Sequence, residues 1–146
     1  MGSILLRIGI IAAIAGGFWL FRDQLTGNAG DLAVGDCFDV PEAQGDIKDV
    51  QHHPCSELHS GEVIFVGDLT GQTTYPSEDV IEDFVFNTCV PAYQAYSGVD
   101  LMTAEDADLG WFWADEEGWN DGNHSVICYG TNKAVTKTQG SIKKAA

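Results

Sequence analysis

Between Gly30 and Gly130 the sequence holds one lysine, Lys48, and no arginine, against 21 aspartates and glutamates. Binding a phosphate backbone needs clustered Lys and Arg to release counterions, so a nucleic-acid partner is excluded. No cysteine precedes Cys37, which removes lipid attachment at an N-terminal cysteine. There is no G-x-S-x-G elbow, no C-x2-C pair and no convincing internal repeat, so the common hydrolase, zinc-knuckle and solenoid signatures are absent. The formal charge of -15 describes a solvated surface suited to a salty medium, and four of the seven basic residues, Lys133, Lys137, Lys143 and Lys144, fall in the last fourteen positions.

The apolar residues are concentrated at the start. Ile4 to Phe21 is apolar except for Arg7, and as a helix would reach about 27 Å, close to the thickness of a hydrocarbon core. A small-x-small triplet at Ala13 to Ala15 comes too early for a signal-peptide cleavage site, and Phe18 to Phe21 prolongs the apolar run, so a retained anchor is expected. Arg7 lies near its start and the acidic part follows it, which by the positive-inside tendency predicts a single-pass protein of the cell membrane with its C-terminal domain extracytoplasmic. Gly9, Ala13 and Gly17 lie four apart, a smooth face that would admit another helix or a second copy. The expected organisation is an anchor over 1–22, a polar linker over 23–31 and a domain over 32–146.

Within that domain, short strands are predicted at Val34 to Val40, Ile47 to Val50, Glu62 to Leu69, around Leu109 to Trp113, and at His124 to Tyr129. The main helix is announced by Pro76 and an N-cap at Ser77, acids at Glu78 and Asp79, and an apolar face of Val80, Ile81, Phe84, Val85 and Cys89. Pro91 should break or kink it, and Gly98 should end its second part. The fold class is α+β, one main helix on a small antiparallel sheet. Trp111, Phe112, Trp113 and Trp119 are dense enough to supply core, with one exposed Trp able to mark a partner surface.

Cys37, Cys55, Cys89 and Cys128 are even in number and lie in different elements, so in an exported domain disulfides are expected. Four cysteines allow three pairings, between which sequence alone does not choose; the expectation carried forward is Cys37 with Cys55 and Cys89 with Cys128. Each bridge would stabilise by roughly 3 to 4 kcal/mol in the chain-entropy model. The same residues admit competing chemistries. Zinc could use Cys55 with His59 and His124 with Cys128, each pair four apart, but this leaves two thiols over. A looser metal site would use His52, His53, His59 and His124, but adjacent histidines such as His52 and His53 are expected to be simply exposed on a loop. A nucleophilic Cys55 or Ser56 with His53 or His59 as base needs a free thiol or a converging loop. An EF-hand on Asp106, Asp108 and Glu117 fails because Trp111 stands where Gly is required, and the acidic stretches Asp106 to Gly110 and Ala114 to Gly122 are expected to be solvated loops more than weak Ca2+ sites. No catalytic residue and no cofactor is therefore expected.

In order and spacing, the motifs VGDCF (Val34 to Phe38), V..HPCSELHSGEVIF (Val50 to Phe65), Tyr75-Pro76 ahead of a helix ending in Cys89, YSG (Tyr96 to Gly98) and W..G.....C (Trp119, Gly122, Cys128) resemble the septum formation family. That family comprises exported or membrane-tethered domains, chiefly of actinobacteria. Gly140 to Lys144, GSIKK, is similar to the family's closing motif and implies that the tail joins the domain as a last hairpin strand. Leu58 departs from a usual Pro, and Asn123-His124 from a usual Asp-Arg; neither removes a cysteine. The resemblance implies Cys55, His59 and Glu62 in a shared polar corner, where hydrogen bonds from His59 and Glu62 are expected to satisfy the loop that carries Cys55 instead of holding a ligand. It also implies a non-enzymatic binding or scaffold domain of the cell envelope, partnered by envelope or membrane proteins and linked to septum formation; the alternative is an extracytoplasmic metal-binding domain.

Overall fold

The computed structural model describes residues 26–28, 31–41 and 49–145. The expected membrane span over Ile4 to Phe21, with Gly9, Ala13 and Gly17, lies outside the described residues. Among the described residues no helix is long and apolar enough to cross a membrane.

Among the described residues six strands form one antiparallel sheet: β1 (Thr26–Asn28), β2 (Cys37–Asp39), β3 (Asp49–His53), β4 (Gly61–Asp68), β5 (Ala107–Trp113) and β6 (Ser125–Asn132), in the order β1-β3-β2-β4-β6-β5. The predicted antiparallel sheet with one main helix is present. The polar stretch expected only as a linker contributes β1, which pairs Thr26 with Gln51 at the sheet edge. Val50 to His53, expected as the end of a strand followed by an exposed histidine loop, is strand throughout; His52 is buried and His53 pairs opposite Cys37.

The main helix runs as α1 (Glu78–Phe84), a π-helical turn (Val85–Cys89) and α2 (Val90–Ser97). Ser77 caps it as expected, its hydroxyl accepting from the Val80 amide. Pro91 does not break the helix, because the π turn comes just before it: the Val90 amide donates five residues back to Val85. That wider turn accommodates a residue with no amide hydrogen to offer the preceding turn. Gly98 stops α2 in the left-handed region, φ 75°, donating to the Gln94 carbonyl at 2.8 Å.

The sheet separates two cores. Ile81, Val85, Cys89 and Tyr93 of the helix bury against Ile64, Val126 and Cys128, while Phe38, Val50, Val63, Ile127 and Tyr129 pack on the opposite face. A bulge in β4 makes this possible. Val63 pairs with Tyr129 and Phe65 with Cys128, so Ile64 is the extra residue and it joins Phe65 on the helix side. On the far face, Phe38, Phe112 and Tyr129 meet with ring centroids 5.0 to 5.8 Å apart.

Both expected disulfides are formed, Cys37 to Cys55 and Cys89 to Cys128, and there is no free cysteine among the described residues. The segment expected as a solvated acidic loop instead contains a short helix, α3 (Glu116–Asn120), whose N-cap Asp115 accepts from the Gly118 amide at 2.8 Å. It buries Trp119, which stacks on His124 and meets Tyr75 edge-on.

Candidate functional site

Glu62 opens the site from the middle of the sheet. It lies in β4 between Cys37 of β2 and Gly130 of β6, with 1% of its surface exposed. A carboxylate taken out of water must recover its lost hydration through hydrogen bonds. Glu62 does so three times: the Tyr96 hydroxyl donates to Oε2 at 2.5 Å, the Ser141 hydroxyl donates to the same oxygen at 2.7 Å, and the Ile142 amide donates to Oε1 at 2.9 Å. One donor comes from the end of α2 and two come from the C-terminal tail. Burial, and then the hydrogen bond and negative charge of Glu62, push the Tyr96 phenol up to about 12.

The tail is thereby drawn across the loop between β3 and β4. Thr138 forms an isolated bridge with His59, its amide donating to the His59 carbonyl at 2.8 Å and its carbonyl accepting from the His59 amide at 2.9 Å. The Gly140 amide donates to the Cys55 carbonyl at 2.6 Å, and the Lys144 amide to the Tyr96 carbonyl at 2.9 Å. The tail thus belongs to the domain as expected, but as a strap of alternating contacts instead of a hairpin strand. Its backbone partners lie on the loop and on α2, and its side-chain acceptor is Glu62.

His59 and Glu62 line one hollow of about 270 Å³ together with Tyr93, Thr131 and Asn132. As expected, both are spent on internal hydrogen bonds, His59 on the loop and Glu62 on α2 and the tail. Nδ1 of His59 donates to the Glu57 carbonyl at 2.7 Å, which fixes that tautomer, and Glu62 is fully engaged elsewhere. Beside the hollow, Asp39 Oδ2 accepts from His53 Nε2 at 2.8 Å and from Lys137 Nζ at 3.1 Å. Burial raises the Asp39 carboxyl, but the His53 and Lys137 bonds outweigh it and the net direction is down.

The histidines do not converge on a metal. Among the described residues, His52 lies in the far face of β3, His53 is held by Asp39, His59 by Glu57, and His124 Nε2 donates to the Trp119 carbonyl at 3.2 Å. The one potential ligand group there is Cys37, Cys55 and Glu62, within 4.8 Å of one another, but the two sulfurs are bonded to each other and offer no thiolate. The same bond removes Cys55 as a nucleophile, and the bridge from Cys89 removes Cys128 from the zinc set.

Sequence reasoning placed Glu62 and His59 together and missed what holds them. Tyr96 and Ser141 were visible within the motifs YSG and GSIKK, where a hydroxyl beside a small residue signals a polar contact, yet neither was tied to Glu62.

A family model described as septum formation matches residues 22–128. No curated protein and no solved structure matches the chain.

Proposed function

The chain belongs to the septum formation family, and on that premise we propose that it is a non-enzymatic extracytoplasmic domain that binds or scaffolds proteins of the cell envelope during division. Family membership connects it to cell division in the coarse sense; the binding role and the location are our reading. The observation that carries the binding role is the way the polar corner is used up. Glu62 spends both oxygens on internal donors, His59 holds a carbonyl, and Cys37 and Cys55 are bonded to each other. A general acid or base must reach a substrate proton, and a nucleophile must be unpaired. These groups brace the loop and the tail. An anchor at residues 1–22 would keep such a domain at the membrane surface.

The reading is tested by fusing a fluorescent protein that matures outside the cytoplasm to the C-terminus of the full chain, and by deleting the gene. Enrichment at division septa, with septa mispositioned or delayed in the deletion strain, is the expected result. A fusion spread evenly around the cell, with septa unchanged by deletion, would refute it.

A further inference from the structure

On the same helix-bearing side of the sheet as the polar corner, an apolar groove of about 510 Å³ lies between the main helix and β5. Its volume falls in the range of ligand pockets, about 300 to 1,000 Å³. The floor is Leu101, Leu109 and Trp111, and Phe86 stands at its wall with 59% of its surface exposed. A phenylalanine so exposed inside the main helix is unusual, since Val85 beside it and Cys89 after it are buried. Glu82, one helical turn before it, is exposed as well, so Phe86 stands on the outward row of the helix; it also lies within the π turn, and π turns recur at functional positions.

The rim is charged on one side of the balance. Glu82, Asp83 and Asp108 border the groove against Lys133, within a stretch from Gly30 to Gly130 that has 21 acids and one lysine. We propose that this groove docks a cationic amphipathic segment of a partner polypeptide, its apolar side chains packed on Phe86, Leu109 and Trp111 and its Lys or Arg side chains set against Glu82, Asp83 and Asp108. The segment fits mode and charge together: apolar anchors in a helix-lined groove, with opposite charge at the rim. An anionic partner, including an anionic lipid surface, is repelled by the same rim. The inference rests on the reading of the chain as a binding domain and names where that binding occurs.

The test uses the full chain held in zwitterionic lipid discs and a fluorescently labelled amphipathic peptide of leucine and lysine, read by anisotropy with empty discs subtracted. A second peptide carries glutamate in place of lysine. The lysine peptide should bind and the glutamate peptide should not. Phe86→Ala should weaken binding by about tenfold, as for a central anchor residue. The pair Glu82→Gln and Asp83→Asn should weaken it several-fold at low salt, with the difference vanishing near 1 M salt, where the Debye length is about 3 Å. Removing two charges elsewhere, by Glu116→Gln and Glu117→Gln, should change affinity less than twofold; this control sits on exposed positions of α3. Phe86 is a surface residue, so its variant is expected to keep the wild-type melting profile. Lysine-peptide binding that ignores Phe86, or equal binding of both peptides, overturns the groove. Septal enrichment of the fluorescent fusion is read separately: retained without peptide binding, it overturns the groove alone, and lost with peptide binding intact, it overturns the septal reading and leaves the groove standing.

Discussion

Replacing Glu62 by alanine should loosen the tail before it loosens the sheet. Three donors lose their acceptor, and they are not equal. The Ile142 amide is part of the backbone and has nowhere else to turn, so leaving it unmet costs about 1 to 3 kcal/mol; the Tyr96 and Ser141 hydroxyls can rotate toward water and cost about 0.5 to 1.5 kcal/mol each. Relief of the buried carboxylate offsets part of this sum. The expected net destabilisation is about 3 kcal/mol by urea unfolding of the full chain with disulfides intact. Two of the three donors, Ser141 and Ile142, are tail residues. Amide exchange over 138–144 should therefore quicken far more than exchange in β4 and β6. Ser141→Ala should cost about 1 kcal/mol in the wild-type chain and almost nothing beside Glu62→Ala, because both remove the same bond. A Glu62→Ala chain that loses less than about 1 kcal/mol, with the Ile142 and Lys144 amides as protected as before, would refute the account of the corner.

Other consequences follow from particular contacts. A Cβ added at Gly130 would lie 2.5 Å from Ile142 Cδ1 and 2.7 Å from the Tyr93 ring; Gly130→Ala should destabilise by about 1 to 3 kcal/mol through overpacking, and Ile142→Ala in the same chain should recover part of it. Non-reducing alkylation and intact mass should find no reactive thiol, and graded reductant should open Cys37–Cys55 before Cys89–Cys128, because Cys55 is partly exposed while Cys89 and Cys128 are fully buried. The carboxyl of Asp39 is lower in the folded chain than in the unfolded one, so its contribution is present above the unfolded pKa and lost as pH falls through the folded value; Asp39→Asn should flatten that part of an acid-unfolding curve. Tyr96 is shifted the other way, to about 12, so its contribution is complete below the ordinary tyrosine range and lost as pH rises toward that value; Tyr96→Phe should remove that share of the alkaline loss of stability.

Local signals carried most of the fold, and the misses share a physical cause. Ser77, Glu78 and Asp79 announced the helix start because capping and the helix dipole act within one turn, and Gly98 announced its end because a left-handed residue is favourable only for glycine. The strands over Glu62 to Leu69 and Leu109 to Trp113 showed in their apolar runs. Pro91 misled, since a proline forbids one amide bond and says nothing of whether the helix can widen beforehand to do without it. The histidine pair misled because polar side chains mask a strand whose register is decided by β2, a partner ten or more residues away. The corner was legible only in outline: Glu62 was in the motif, but Tyr96 and Ser141 lie 34 and 79 residues away, a separation at which no local pattern reports contact.

The end and the middle of the main helix are held in different ways, and the difference bears on binding. At the far end of α2, Tyr96 and the tail fasten the helix to Glu62 by hydrogen bonds, which open and close at modest cost. In the middle, Cys89 closes the π turn and is covalently tied to Cys128 of β6. That bridge stands three residues from Phe86 and fixes the turn that carries it. A partner docking on Phe86 would find its wall already ordered, so little conformational entropy would be lost on binding. Opening Cys89–Cys128 should then weaken peptide binding at the groove even under conditions where the sheet remains folded, whereas cutting the tail from the corner by Glu62→Ala should weaken it far less, since Ala107 is the one residue that lines both hollows. If the two perturbations weaken binding equally, the groove and the corner form one cooperative unit and the division of labour drawn from the disulfide is wrong.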